Sequence, residues 1–130
     1  MDCLIRMGMP LLNLVVIRSS NIEKLGAFYS AIGLEFERHQ HGSGPEHLAA
    51  ELGGAVFEIY PSERGIEPTT AVRLGFGVSS VDDMVSELRR MGARVLREPA
   101  ASPWGRRAVV QDFEGHKVEL TEAVAKPGTD

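Results

Sequence analysis

The chain has 130 residues, 43% hydrophobic and 25% charged, the composition and length of one soluble globular domain. Its net charge of −4, with no basic cluster beyond Arg89-Arg90 and Arg106-Arg107, argues against a nucleic-acid partner. The single cysteine, Cys3, excludes an internal disulfide and makes a reducing cytoplasm the default, and no run reaches the roughly 18 apolar residues of a membrane span.

Residues 1–10 are expected as a tail. Met9 to Ile17 has the length of a signal-peptide core, but Arg18-Ser19-Ser20-Asn21 follows it without a small-residue cleavage site. A buried strand over Leu12 to Ile17 is the expectation. Ser20 or Asn21 caps a helix whose apolar face is Ile22, Leu25, Phe28, Tyr29 and Ile32, and Gly33 stops it. Leu34 to His41 alternates as a strand, Gly42-Ser43-Gly44-Pro45 turns, and His47 to Leu52 returns. After a turn at Gly53-Gly54, Ala55 to Tyr60 is a fourth strand, and Pro61 to Thr69 is a linker.

The order then restarts. Ala71 to Val78 reads as a strand, and Ser79 or Ser80 caps a helix with Val81, Met84, Val85 and Leu88 on its apolar face. Asp82 and Asp83 in its first turn complement the positive end of the helix. Gly92 ends the helix, Ala93 to Arg97 is a strand, and Pro99 to Pro103 a loop. Gly105 to Gln111 and His116 to Thr121 are the last strands, joined by a turn at Asp112 to Gly115, and residues 123–130 are a tail. Each half is therefore strand, helix and three strands. Leu14 lies 59 positions before Arg73, Gly33 lies 59 before Gly92, and Glu58 lies 61 before Glu119. Such spacing indicates a repeat.

Three stretches carry a resemblance: Leu14 to Asn21 running into Ala27-Phe28-Tyr29 and Gly33-Leu34; Phe57-Glu58-Ile59-Tyr60; and Asp112-Phe113-Glu114-Gly115-His116-Lys117-Val118-Glu119-Leu120. Over Leu11 to Glu122 the chain resembles the vicinal-oxygen-chelate superfamily of glyoxalases, bleomycin-resistance proteins and extradiol dioxygenases. The last stretch is similar to that superfamily's Asp-Pro-x-Gly-x-x-x-Glu-Leu ending, with phenylalanine for proline. The resemblance implies an α+β fold of two tandem βαβββ modules, over residues 11–60 and 70–122, whose sheets form an open cup or barrel. It also implies a homodimer. Metal-dependent members place ligands at positions equivalent to Leu14, Glu58, Arg73 and Glu119. Leucine offers no donor and arginine carries a permanent positive charge, so no cofactor is expected at that centre. The alternative is magnesium or manganese held by Glu58 and Glu119 with waters.

Strand alternation puts Glu58 with Val56 and Tyr60, and Arg73 with Gly75 and Gly77, on the faces away from the helices. Glu58 and Glu119 are candidate catalytic bases if burial raises their pKa. Leu14, Glu58, Tyr60, Arg73, Trp104 and Glu119 are the expected ligand-binding residues, with Arg73 as an anion anchor. A cluster of Glu58, Arg73 and Glu119 closing the cup without chemistry is the competing expectation, and Trp104 either covers a ligand or packs its own loop. His39, His41 and His47 offer three imidazoles to zinc, against the more ordinary role of a solvated pocket rim. His116 follows a turn and is expected to be exposed.

The leading reading is small-molecule binding in the cup without the usual metal. The alternatives are a divalent-metal-dependent lyase, isomerase or dioxygenase, with glyoxalase I activity disfavoured by the missing histidines, and a noncatalytic accessory domain. No membrane partner is expected.

Overall fold

The computed structural model describes residues 8–122. The expected tails, and Cys3 with them, fall largely outside these residues. The first module runs β1 (Leu14–Ser19), α1 (Ile22–Ile32), β2 (Phe36–His39), β3 (His47–Leu52) and β4 (Ala55–Pro61). The second repeats the plan as β5 (Arg73–Val78), α2 (Val81–Arg90), β6 (Arg94–Ala100), β7 (Arg107–Gln111) and β8 (Lys117–Glu122). Each module forms its own four-stranded sheet, ordered β1-β4-β3-β2 and β5-β8-β7-β6. The fold is α+β with two tandem modules, and its sheets do not close into a barrel, the arrangement of an open cup. No helix among the described residues is long and apolar enough to cross a membrane.

Register proves the repeat. Leu14 pairs with Val56 and Val16 with Glu58 in parallel, just as Arg73 pairs with Lys117 and Gly75 with Glu119. The two glutamates hold equivalent places in equivalent sheets. Several element ends differ from expectation. Leu12 precedes β1 and is exposed, because its register neighbours begin only at Leu14. The segment expected as a loop from Pro99 continues β6 to Ala100, carried by ladder shifts opposite Val109 and Arg107. β-bulges of this kind let a strand absorb a proline that a regular ladder excludes.

The helices form where their caps and faces predict. Asn21 caps α1 by accepting from the Lys24 N–H, and Ser80 caps α2 by accepting from the Asp83 N–H. Gly33 closes α1 at φ 128°, a left-handed value open to glycine without strain. Gly26 faces β3 so closely that a Cβ there would lie 2.7 Å from Leu48 Cδ1. Ile22, Leu25 and Tyr29 of α1 and Val81, Val85 and Leu88 of α2 are buried in one continuous core with Ile17, Phe57, Ile59, Val118 and Leu120.

Tyr29 joins the modules. Its ring meets Phe57 of the first sheet and Phe76 of the second at centroid distances of 5.0 and 5.8 Å. Its hydroxyl donates to Asp112 Oδ2 at 2.6 Å. Asp112 Oδ1 accepts the backbone N–H groups of Glu114, Gly115 and His116, which shapes the β7–β8 turn. His116 corrects the expectation of exposure: it is fully buried, with Nδ1 2.9 Å from Asp112 Oδ2 and Nε2 2.7 Å from Thr69 Oγ1. Thr69 Oγ1 in turn accepts from the Arg18 N–H at 3.0 Å. A polar chain thus runs from β1 through the linker and the second module back to α1. At its centre burial works to raise the Asp112 pKa, but hydrogen bonds from His116 and Tyr29 overcome it and hold the carboxyl below its ordinary value. Burial, followed by the charge of Asp112, pushes the Tyr29 phenol far above its ordinary range.

The depressed Asp112 pKa means that its stabilisation is present above the unfolded value of 3.8 and is lost as pH falls through the lower folded value. Asp112→Asn should therefore cost about 3 kcal/mol at pH 7. Urea unfolding should show this deficit shrinking below about pH 4, where the unfolded carboxyl takes up its proton before the folded one does.

Candidate functional site

Each sheet has one face on the core and one left open. On the first, register lays three rows across the strands. Arg18, Tyr60, His47 and His39 form one; Val16, Glu58, Ala49 and Glu37 the next; Leu14, Val56 and Glu51 the third. The first row is a run of ring contacts. The Arg18 guanidinium sits 5.2 Å from the Tyr60 ring centroid, and Tyr60 stacks on His47 at 4.1 Å and 9°. His39 meets His47 edge-on at 5.9 Å.

Beside these rows lies a cavity of about 770 Å³, lined by Glu35, Glu37, His39, Ala49, Glu51 and Val56 among others. Its floor is small and apolar, and its rim carries three carboxylates. Glu58 stands at the adjoining position, mostly buried, with Oε2 4.0 Å from His47 Nε2. That His47 nitrogen is buried and has no hydrogen-bond partner. Leaving such a group unpaired costs about 1–3 kcal/mol.

The second open face has a different character. Its rows hold Arg73, Lys117, Gln111 and Arg94; then Gly75, Glu119, Val109 and Arg97; then Gly77, Thr121 and Arg107. Arg73 Nε lies 2.6 Å from Glu119 Oε2, and Arg107 donates from Nε to Oε1 at 3.2 Å. The Arg107 hydrogen bond, with Arg73 adding to it, holds the Glu119 carboxyl below its ordinary value. Glu119 is thus a counter-ion to two guanidiniums, the opposite of what a general base requires. A Cβ at Gly75 would meet Glu119 Cβ only at 3.9 Å, so this glycine leaves the face open and is not forced by close packing.

These contacts rearrange the expected site. Arg73 and Glu119 do pair, but Glu58 faces His47 and does not share their cluster. Among the described residues no hydrogen bond or ion pair joins the Glu58 group to the Glu119 group. Leu14 is half exposed on the first face and offers no donor. With Arg73 committed to Glu119, the four positions equivalent to the superfamily's metal ligands do not fit a metal. Tyr60 is held between Arg18 and His47 and is not among the residues that line the cavity. Trp104 is 70% exposed in the connection between β6 and β7 and is not among the residues that line the cavity. Asp82, besides lying at the start of α2, accepts a bidentate pair from Arg106. Arg18, Glu35, Glu37, Glu51 and Arg107 were not expected at a site. Alternation marks Glu35 and Glu37 as sharing a face, but only register places them beside Ala49 and Val56.

The profile of the glyoxalase-like domain matches residues 14–121. The chain belongs to this family. It thereby falls in the vicinal-oxygen-chelate superfamily, as expected. Among solved structures it resembles TnmS3, an antibiotic-binding protein from Streptomyces sp. CB03234, at 24% identity and a TM-score of 0.70, covering 92% of this chain and 100% of that one. It also resembles a glyoxalase/bleomycin resistance protein from the same strain, at 25% identity and a TM-score of 0.64, covering 85% and 99%. A glyoxalase-related enzyme from Fulvimarina pelagi is similar at 19% identity and a TM-score of 0.70, with 88% of each chain covered. No curated protein matches the chain.

The Arg73–Glu119 pair is substantially exposed, which limits its worth to under about 1 kcal/mol. Arg73→Ala should therefore shift the unfolding free energy by less than that. A loss above about 2 kcal/mol in denaturant titration would instead mark a buried ionic core.

Proposed function

We propose that this chain binds a small organic molecule at the open face of its first sheet, and that it does so without the metal centre usual in its superfamily. The observation that carries this reading is the cavity beside β2, β3 and β4. Its volume of about 770 Å³ suits a drug-sized ligand, and its apolar floor at Ala49 and Val56 suits a ring system. Glu35, Glu37 and Glu51 at the rim favour a ligand carrying positive charge. The likeness to an antibiotic-binding protein and a bleomycin-resistance protein supports the class of function. A metal-dependent lyase or dioxygenase is the less favoured reading, because Leu14 and the Arg73–Glu119 pair occupy the positions such a centre needs.

A homodimer is part of the proposal, and charge supports it. The first open face carries Glu35, Glu37, Glu51 and Glu58, while the second carries Arg73, Arg94, Arg97, Arg107 and Lys117 around Glu119. A two-fold dimer that sets one chain's first sheet opposite its partner's second sheet brings these faces together and encloses the cavity. Sedimentation at low salt should give twice the chain mass, with dissociation favoured as salt screens the charges. A monomer at every salt concentration contradicts this arrangement.

The ligand reading is tested by melting-temperature shifts against aromatic compounds that differ only in charge. Cationic members should stabilise the protein, since a ligand of the native state raises its stability. Glu37→Lys together with Glu51→Lys should weaken that binding at least about tenfold, the loss of one favourable charge contact or more. Stabilisation by anionic members alone, or an unchanged affinity in the double variant, contradicts the reading.

A further inference from the structure

We propose that His39, His41 and His47 form a site for a divalent transition-metal ion of the zinc class, at the hairpin joining β2 to β3 and apart from the superfamily's usual centre. Each ring offers one nitrogen, and these three nitrogens all lie within 4.8 Å of one another. The ring centroids stand 6.1, 5.9 and 5.3 Å apart. Three imidazoles are a donor set that zinc, copper and nickel favour and that magnesium and calcium do not.

His47 is the fixed member. It is fully buried and held flat against Tyr60 at 4.1 Å. Its Nδ1 lies 3.3 Å from the Pro45 carbonyl oxygen. A carbonyl only accepts, so Nδ1 carries the proton and Nε2 keeps the lone pair. This is the arrangement by which a backbone carbonyl orients a metal-binding histidine. Nε2 has no hydrogen-bond partner, and Glu58 Oε2 lies 4.0 Å away.

His39 and His41 are the adjustable members. His39 ends β2, and His41 is exposed beside Gly42, which has φ 59°. Zinc–nitrogen bonds of about 2.0–2.1 Å require the nitrogens to close to roughly 3.4 Å in a tetrahedral site. Rotation of two partly exposed side chains on a glycine-bearing hairpin supplies that closure. Because His39 also lines the cavity, the metal would form part of the cavity's end wall.

The test uses the full chain without an affinity tag, stripped with chelator and titrated with zinc by calorimetry and with cobalt by visible absorption. One zinc per chain should bind with micromolar affinity or tighter, and cobalt should give the intense bands of a tetrahedral site. His39→Gln combined with His41→Gln should weaken binding at least about 100-fold, beyond the effect of losing an outer-shell partner. Both residues are partly or fully exposed, so the fold should survive, which the far-ultraviolet circular dichroism and melting curve of the variant verify. Glu119→Gln should leave the affinity unchanged. Absence of saturable zinc binding, many weak sites in place of one, or one-to-one binding that persists in the double histidine variant overturns the proposal. Loss of binding in Glu119→Gln overturns it in favour of the usual centre.

Discussion

The carboxylate of Asp112 is the contact on which the structure depends. One oxygen accepts three successive backbone N–H groups and shapes the β7–β8 turn, while the other receives the Tyr29 hydroxyl and His116 Nδ1. Tyr29 brings the first module's helix, and His116 reaches through Thr69 to the backbone of β1. A half of this length buries little apolar surface and would be marginal alone. The aromatic contacts of Tyr29 with both sheets supply shared apolar burial, and the polar chain around Asp112 fixes the geometry in which that burial occurs. The open faces owe their positions to this junction, in which Arg18 alone, through its side chain, also lies on one of them.

Two copies of one plan have kept the same register and diverged in surface chemistry. Val16–Glu58 and Gly75–Glu119 are equivalent pairs, yet their glutamates have different partners. Glu119 neutralises Arg73 and Arg107 on a basic sheet. Glu58 faces an imidazole on an acidic one. Such divergence suits paired surfaces better than paired catalysts. A general acid–base pair needs carboxyl groups whose environments push their pKa values apart around neutrality, and Glu119 is held down by two cations.

The repeat, both helix faces, their caps and the equivalence of Glu58 with Glu119 are all legible in the sequence, because each rests on periodicity or spacing. What spacing leaves unread depends on contacts between distant segments. His116 follows a turn, the usual setting of an exposed side chain, but Asp112 and Thr69 satisfy it in the interior. Glu58, Arg73 and Glu119 fall at matched positions, which suggests one cluster. The sheets separate Glu58 from the Arg73–Glu119 pair, setting His47 beside the one and Arg107 beside the other. The carboxylate rim of the cavity is hidden for the same reason: Glu35, Glu37 and Glu51 come from two strands, and only the β2–β3 register brings them together.

Ligand recognition at the first open face is the central claim, and amide chemical-shift mapping of the labelled protein during titration with a cationic aromatic compound tests it most directly. The account predicts saturable shifts concentrated at residues 35–39, 49–51 and 56–60. Shifts confined to β5 and β8 around Arg73 and Glu119 with none on the first sheet, or none at any concentration, would contradict it.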